Sequence, residues 1–362
     1  MVKVQSYKVP VRKGPGWYHP VVKEVKRGES IDVLERSGRW YKVKVSDGTI
    51  GYASKRSIRI SAGSGASSGS LKKGSSIQGR RRTSRPMMVA ALRGVADMGL
   101  FPREYARKHG LDPAEIERLM EMPFAAEEFK RFKGALRPPS GIASGLEGAE
   151  LPATDREVGA AITMRLLGAM PASRDARLRK YVSMVGAVVQ EQTPIYDVPF
   201  VFIVLKSPKA NSFSAPGGFV FITTGALGVM GSEAELAGVL SHEMVHVLER
   251  HGMKELDRQS TRIESAGAMD DLDKELDMRG MDMGDKDVAA DLEDMADQMF
   301  EQFIGGRKMS DEDRSDKKGT RLLSKTGYSP GGLRDFIIKS SDKVTGEDLK
   351  TYAYRDAGRR AK

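Results

Sequence analysis

The sequence predicts a multi-domain protein, with a small all-β barrel at its N-terminus and a mainly helical α+β domain with a small sheet after it. Short alternating strands with turn signals fill residues 1–60. A Ser/Gly-rich and basic stretch unable to bury a core covers 61–85. Helical periodicity then dominates, and the 362 residues suffice for several cores.

The N-terminal domain, residues 1–60, is predicted from strand alternation in Trp40–Val45, a turn at Asp47-Gly48 and a second strand from Ile50. The sequence around Trp17 and Trp40, together with Gly51-Tyr52-Ala53, resembles the bacterial SH3-like domain. That resemblance leaves two interpretations open. The aromatic side chains either form a groove for a peptide or for peptidoglycan, or they pack in the barrel of a domain that only tethers.

The net charge of +10 belongs to the N-terminal end. Residues 1–85 contain 20 Lys and Arg against 5 Asp and Glu, and the rest of the chain is net acidic. Such a basic end could contact nucleic acid or anionic lipid, but a solvated surface explains it more simply, so we expect no nucleic-acid partner. No apolar run reaches membrane-span length, so we expect no transmembrane segment and at most peripheral contact with the envelope.

Four further regions follow: a flexible linker at 61–85, a helical pre-domain at 86–150, a larger domain at 151–345 and a basic tail at 346–362. Within the larger domain, helices are predicted from a capping box at Thr154 and after Ser173. Two apolar strands, Pro199–Leu205 and Gly218–Thr223, bracket a polar loop at Asn211–Gly217. A Met-rich stretch at 277–285 is a candidate lid or partner surface.

Histidine is rare and clustered, with three of the five histidines inside ten residues. A capping box at Ser232 and a stop at Gly252 predict one helix from Glu233 to His251. His242 and His246 are four residues apart and share a helix face, so they can bind one metal ion while Glu243 reaches a water on it. We expect His251, five residues beyond His246, to be a cation at the helix end and not a ligand.

A catalytic zinc ion needs a third protein ligand, and a chain without cysteine makes a carboxylate the natural choice. A helix is predicted from Ser310 to Gly327, on which Glu312 and Asp316 share a face. Spacing alone does not select Glu312, because 253–309 is also rich in acids.

Five segments carry a family resemblance: Arg179–Gly186, Asn211–Val220, Glu235–His246, Glu312–Asp316 with Gly319, and Gly327–Pro330. From Arg156 to Pro330 the chain resembles the HtpX-like zinc metallopeptidases, gluzincins related to the CAAX prenyl endoprotease, and most of all their cell-envelope BepA-type branch. The resemblance implies a zincin-type fold with one zinc ion per chain. It also implies that Glu312 of an ExxxD motif is the third ligand, with Asp316 hydrogen-bonding a ligating histidine.

The activity implied is zinc-dependent endopeptidase cleavage of protein or peptide substrates, with Glu243 as the base. We expect the strand containing Gly218, Phe219, Val220 and Phe221 to be the edge that pairs with an extended substrate, although its glycines could equally make only a turn.

Two departures from the family pattern affect this interpretation. Arg314 lies inside the ExxxD motif, and the C-terminal tail has no histidine. Tyr352, Tyr354 and Arg355 are the candidate transition-state stabilisers there, with Arg359 and Arg360 further on. The departures keep open a catalytically inactive scaffold protein with the same fold.

Localisation follows from the same resemblance. It favours a periplasmic or envelope-associated protein in cell-envelope quality control if a signal was removed, and a cytoplasmic one otherwise.

Overall fold

A computed structural model describes residues 2–4, 8–58, 118–139, 151–255 and 308–343, together with 146, 149 and 360. These residues fall into two compact units, one formed mainly by the first 82 residues and one formed mainly by the residues after them. Several predicted features lie outside the described residues: the linker at 61–85, the stretch at 277–285, and Tyr352, Tyr354 and Arg355.

The first unit is all-β, as predicted. Its six antiparallel strands are arranged in the order β1-β4-β5-β6-β2-β3. The Asp47-Gly48 turn joins β5 to β6, with Gly48 at a φ of 88° and the Thr49 amide donating to Asp47 Oδ1. The strands are β1 (Val2–Lys3), β2 (Lys8–Arg12), β3 (Val21–Lys26), β4 (Ser30–Ser37), β5 (Trp40–Val45) and β6 (Ile50–Ser54).

Valine side chains of β2, β3 and β5 form the core of this unit together with Ile31 of β4 and Ala53 of β6. Trp17 and Trp40 are buried, with 5% and 6% of their surface exposed. Their burial favours the interpretation in which the aromatic residues pack in the barrel over the one in which they line an open groove.

The second unit is mainly helical with one small sheet, as predicted. None of its described helices is long and apolar enough to cross a bilayer. Its helices are α1 (Ala126–Lys133), α2 (Ala153–Ala169), α3 (Ala176–Glu191), α4 (Thr224–Val229), α5 (Glu233–Leu248), α6 (Met309–Leu323) and α7 (Gly332–Lys343); its strands are β7 (Val201–Leu205), β8 (Ser212–Ala215) and β9 (Phe219–Thr223).

The sheet corrects two expectations. Residues 212–215, expected in a loop, form the strand β8, which pairs antiparallel with β9. β9 also pairs in parallel with β7, so it is the central strand of the order β7-β9-β8 and not an edge. The prediction that Gly218, Phe219, Val220 and Phe221 form the substrate edge is therefore wrong, because both sides of β9 are already hydrogen-bonded.

The glycines before β9 make a turn that packs against α2. Gly217 and Gly218 have φ values of 77° and 100°, a region that L side chains rarely adopt. A Cβ on Gly217 would come within 2.1 Å of the Arg156 Cα. These glycines therefore serve the turn and the close approach of α2.

Three helix boundaries differ from prediction, and one of them is the end of α6, which lies at Leu323 and not at Gly327. α2 begins at Ala153 after Pro152, with no side-chain cap, so Thr154 is not the N-cap. α5 ends at Leu248 and does not continue to His251. The chain turns at Arg250, whose φ of 57° makes it the only residue other than glycine in the left-handed region within the described part of the chain.

Candidate metal centre

The helix α5 carries the two candidate metal-binding histidines. Ser232 caps the helix by accepting a hydrogen bond from the Glu235 amide, as predicted, and Glu235 accepts one from the amide of Gly231, one residue before the cap. His242 and His246 lie four residues apart on its inner face, and each is at most 3% exposed. The start of the helix and its period therefore place both imidazoles at one buried point.

The helix α6 brings Glu312 to this point. A Cβ on Gly319 would lie 3.0 Å from the His242 Cα, so the missing side chain lets α6 approach α5 closely. Glu312 Oε1 lies 3.1 Å from His246 Nε2, and its Oε2 lies 3.4 Å from His242 Nε2. The two Nε2 atoms are 3.0 Å apart. The structure thus brings together the three residues predicted as ligands.

These separations fit a tetrahedral zinc site. Ligand atoms bonded to zinc at about 2.0–2.1 Å with tetrahedral angles lie about 3.3 Å from one another. The two Nε2 atoms are 3.0 Å apart and lie 3.1 and 3.4 Å from the two different oxygens of Glu312, so all three separations are close to that value. Two imidazoles and one carboxylate also form a donor set found in catalytic zinc sites that keep a fourth position for water.

Asp316 lies behind His242. Its Oδ1 is 2.8 Å from His242 Nδ1, the ring nitrogen on the side away from Glu312. Burial lowers the pKa of His242, but the carboxylates of Glu312 and Asp316 outweigh burial and raise it to about 9. A metal ion can bind His242 Nε2 only when that nitrogen carries no proton. The metal ion and a proton therefore compete for His242.

Arg360 holds Asp316 from the other side. Its Nε and Nη2 donate to the two oxygens of Asp316 at 2.7 and 2.8 Å, and its Nη2 lies 3.4 Å from Glu312 Oε2. Burial raises the pKa of Asp316, but the hydrogen bonds from Arg360 and His242 lower it well below its usual range. Asp316 is therefore an ionised acceptor, fixed by a bidentate arginine.

Glu243 points at β8. Ser212 Oγ donates to its Oε1 at 2.9 Å, and Ser214 Oγ donates to its Oε2 at 3.0 Å. The two serines alternate with Phe213, which stacks on Phe221 on the opposite face of the strand. Both carboxylate oxygens of the candidate base are thus held by buried hydroxyl groups.

His251 does not lie at the end of α5, where it was expected as a cation. It follows the turn at Arg250, is 3% exposed, and places its Nδ1 2.9 Å from His246 Nδ1. It contacts a candidate ligand without belonging to the three-residue cluster.

Sequence reasoning missed Ser212 and Ser214 and passed over Arg360. The alternation Ser-Phe-Ser was the available signal for a strand with two hydroxyl groups on one face. For Arg360 the sequence offered only its position in the tail, 44 residues after Asp316.

Arg314, the departure inside the ExxxD motif, points away from the cluster. Its guanidinium lies 3.4 Å from Glu249, and its side chain is 53% exposed.

Comparison with known proteins places this centre in a family. Curated relatives include the beta-barrel assembly-enhancing proteases of Escherichia coli K12 and Yersinia pestis, 23% and 25% identical over 192 and 175 residues. The matches cover 52% and 48% of this chain but 38% and 35% of the relatives, so the chain spans little more than a third of their length. The mitochondrial metalloendopeptidase OMA1 of Schizosaccharomyces pombe is 34% identical over 76 residues, which is 21% of this chain and 23% of that protein.

Family models match both units. The model for the bacterial SH3 domain matches residues 8–59, and the model for peptidase family M48 matches residues 173–354, half of the chain. The second match contains His242, His246 and Glu312 as well as Glu243 and Asp316. The chain is a member of peptidase family M48 with an N-terminal bacterial SH3 domain.

Proposed function

We propose that this protein is a zinc-dependent endopeptidase that hydrolyses peptide bonds of protein substrates. The observation that carries the proposal is the buried cluster of His242, His246 and Glu312 at zinc-ligand separations, next to Glu243. The family and the relatives named as proteases support it.

Zinc held there would polarise the scissile carbonyl and lower the pKa of a bound water from about 15.7 toward ~7. Glu243 takes the proton of the attacking water and later delivers it to the leaving amine. Ser212 and Ser214 hold both oxygens of Glu243, so the carboxylate does not have to reorient during the reaction. Asp316 fixes the His242 ring with Nε2 directed at the cluster.

The edge strand beside the centre is β8. Among the described strands it pairs only with β9, so its other side can accept the backbone of an extended substrate. Since Ser212 and Ser214 lie on this strand, a substrate paired with it would lie beside Glu243. We therefore assign to β8 the role first expected of β9.

The C-terminal tail contributes Arg360 to the candidate metal centre. We propose that Arg360 keeps Asp316 ionised and in place, since it binds both carboxylate oxygens. Tyr352, Tyr354 and Arg355 stay predictions for stabilising the transition state.

Arg314 no longer supports the alternative of a catalytically inactive scaffold protein. Arg314 is directed toward Glu249 and solvent, so it removes no ligand. The absence of a histidine in the tail affects neither the three candidate ligands nor Glu243.

We further propose a role in protein quality control of the cell envelope, with the N-terminal domain as a targeting module. The relatives named for β-barrel assembly support the envelope role. For targeting, a peptide or peptidoglycan ligand has to contact the surface of the domain, since Trp17 and Trp40 are buried. Co-sedimentation of the full chain with insoluble peptidoglycan tests this: recovery in the pellet supports the ligand, and complete recovery in the supernatant removes it.

The enzyme proposal is tested by measuring bound zinc and hydrolysis of an unfolded protein by wild type and Glu243→Gln. We expect wild type to bind one zinc ion and to lose activity with a chelator and regain it with zinc. The variant should bind zinc but not cleave. Cleavage by the zinc-loaded variant excludes Glu243 as the base, whereas a wild type that neither binds zinc nor cleaves excludes the enzyme.

A further inference from the structure

His251 lies behind His246, as Asp316 lies behind His242. A straight α-helix would rotate His251 by about 140° from His246, out of reach of its ring. Instead, α5 ends at Leu248, and the left-handed residue Arg250 turns the chain back. The two rings then lie 4.9 Å apart between centroids and 74° between planes, with their Nδ1 atoms 2.9 Å apart.

The turn is held from a distant part of the chain. Arg250 donates through Nε and Nη2 to the two oxygens of Asp155, each at 2.7 Å. Asp155 lies in the first turn of α2 and is 1% exposed. A bidentate pair to a buried carboxylate thus fixes an unusual backbone conformation, and its effect is to place His251.

The donor and the acceptor of the hydrogen bond between the two rings can be assigned. His246 directs Nε2 at Glu312 and at His242 Nε2, so this nitrogen must supply a lone pair to a metal. Its proton is then on Nδ1, and His251 Nδ1 must accept it. His251 consequently carries its own proton on Nε2, which faces Asp311 Oδ1 at 3.7 Å, and the negative charge there favours that tautomer.

We infer that His251 is a positioning residue for His246: by accepting the Nδ1 proton, it holds the His246 ring with Nε2 directed at the metal. This inference rests on the proposed zinc centre and concerns affinity for the metal. His242 is held by the carboxylate of Asp316, and His246 is held by the imidazole of His251.

The test is zinc affinity of the full chain, measured by competition with a chromogenic chelator. Partners behind a ligating histidine typically contribute ten- to a hundredfold in metal affinity, and we expect His251→Phe to lose that much. His251→Asn should stay within about threefold of wild type, because its side-chain oxygen can take the position of Nδ1. His19→Phe, at a buried histidine of the first unit, is the matched control and should bind zinc as wild type does.

Each outcome decides between explanations. If His251→Phe binds zinc like wild type, or if His251→Asn is as weak as His251→Phe, the hydrogen bond has no positioning role. If wild type binds no zinc, the proposed function fails first. Circular dichroism of the metal-free variants reports whether they fold. If His251→Phe does not fold, His251→Gln replaces it, because its acceptor lies one carbon further out, and it must show the same loss of zinc affinity. In zinc-loaded protein labelled with ¹⁵N-histidine, the His246 Nδ1 resonance should shift in the Phe variant and return in the Asn variant.

Discussion

The hydrogen bonds that Ser212 and Ser214 donate to Glu243 lead to a kinetic prediction. Replacing Ser212 or Ser214 by alanine removes one donor, at 2.9 or 3.0 Å, from a buried carboxylate. A hydrogen bond to a charged group contributes about 1.5–3 kcal/mol. Since about 1.4 kcal/mol corresponds to a tenfold change in rate, each alanine should lower kcat by roughly ten- to a hundredfold. The double variant should fall by less than the product, because both hydroxyls act on one carboxylate.

The assay is the initial rate on a fluorescence-quenched unfolded protein at several concentrations, with bound zinc measured in each sample. KM should change little. Ser212→Thr and Ser214→Thr keep the hydroxyl and should retain most of kcat. Ser241→Ala is the matched control, because Ser241 is a buried serine on α5 that donates to the Ala237 carbonyl and not to Glu243. A double alanine variant with full zinc content and kcat within twofold of wild type would refute the reasoning.

Three further predictions concern metal binding and stability. Gly319→Val should weaken zinc binding by at least about tenfold in chelator competition, since a Cβ 3.0 Å from His242 Cα forces α6 away from α5; unchanged affinity would contradict the close approach. Because the carboxylates raise the pKa of His242 to about 9, zinc binding at pH 7 should displace a proton from His242, and the affinity for zinc should rise as the pH approaches 9. Calorimetry of zinc binding in buffers of different ionisation enthalpy must show this release of a proton. Burial raises the pKa of Glu235, but hydrogen bonds from Lys339, Gly231 and Ser232 outweigh burial and lower it. These partners therefore stabilise the fold above about pH 4.5, and their contribution is lost as the pH falls below that value. Lys339→Met should therefore cost about 1 kcal/mol in urea unfolding at pH 7 and less at pH 3, whereas an equal loss at both pH values would exclude this ion pair as the cause.

The parts predicted correctly from sequence are those that depend on local spacing. The capping box at Ser232 and the four-residue interval between the histidines lie within one helix, so helical geometry alone orients them. The turn at Asp47-Gly48 is local in the same sense.

The parts that were missed depend on contacts between distant segments. β8 has only four residues, and it is a strand because it pairs with β9. The left-handed residue of the turn after α5 is Arg250, two residues before the glycine from which the helix end was predicted, and its partner Asp155 lies 95 residues away. Arg360 reaches Asp316 across 44 residues.

The strand β8 has both of its faces committed, which has a consequence for selectivity. Its serines are turned toward Glu243, and Phe213 is stacked in the core on Phe221. What β8 can offer a substrate is its backbone edge, and backbone donors and acceptors are the same in every polypeptide. An edge of this kind distinguishes chains by conformation: an unfolded segment can lie along it, whereas the same residues in a finished fold already have their backbone partners.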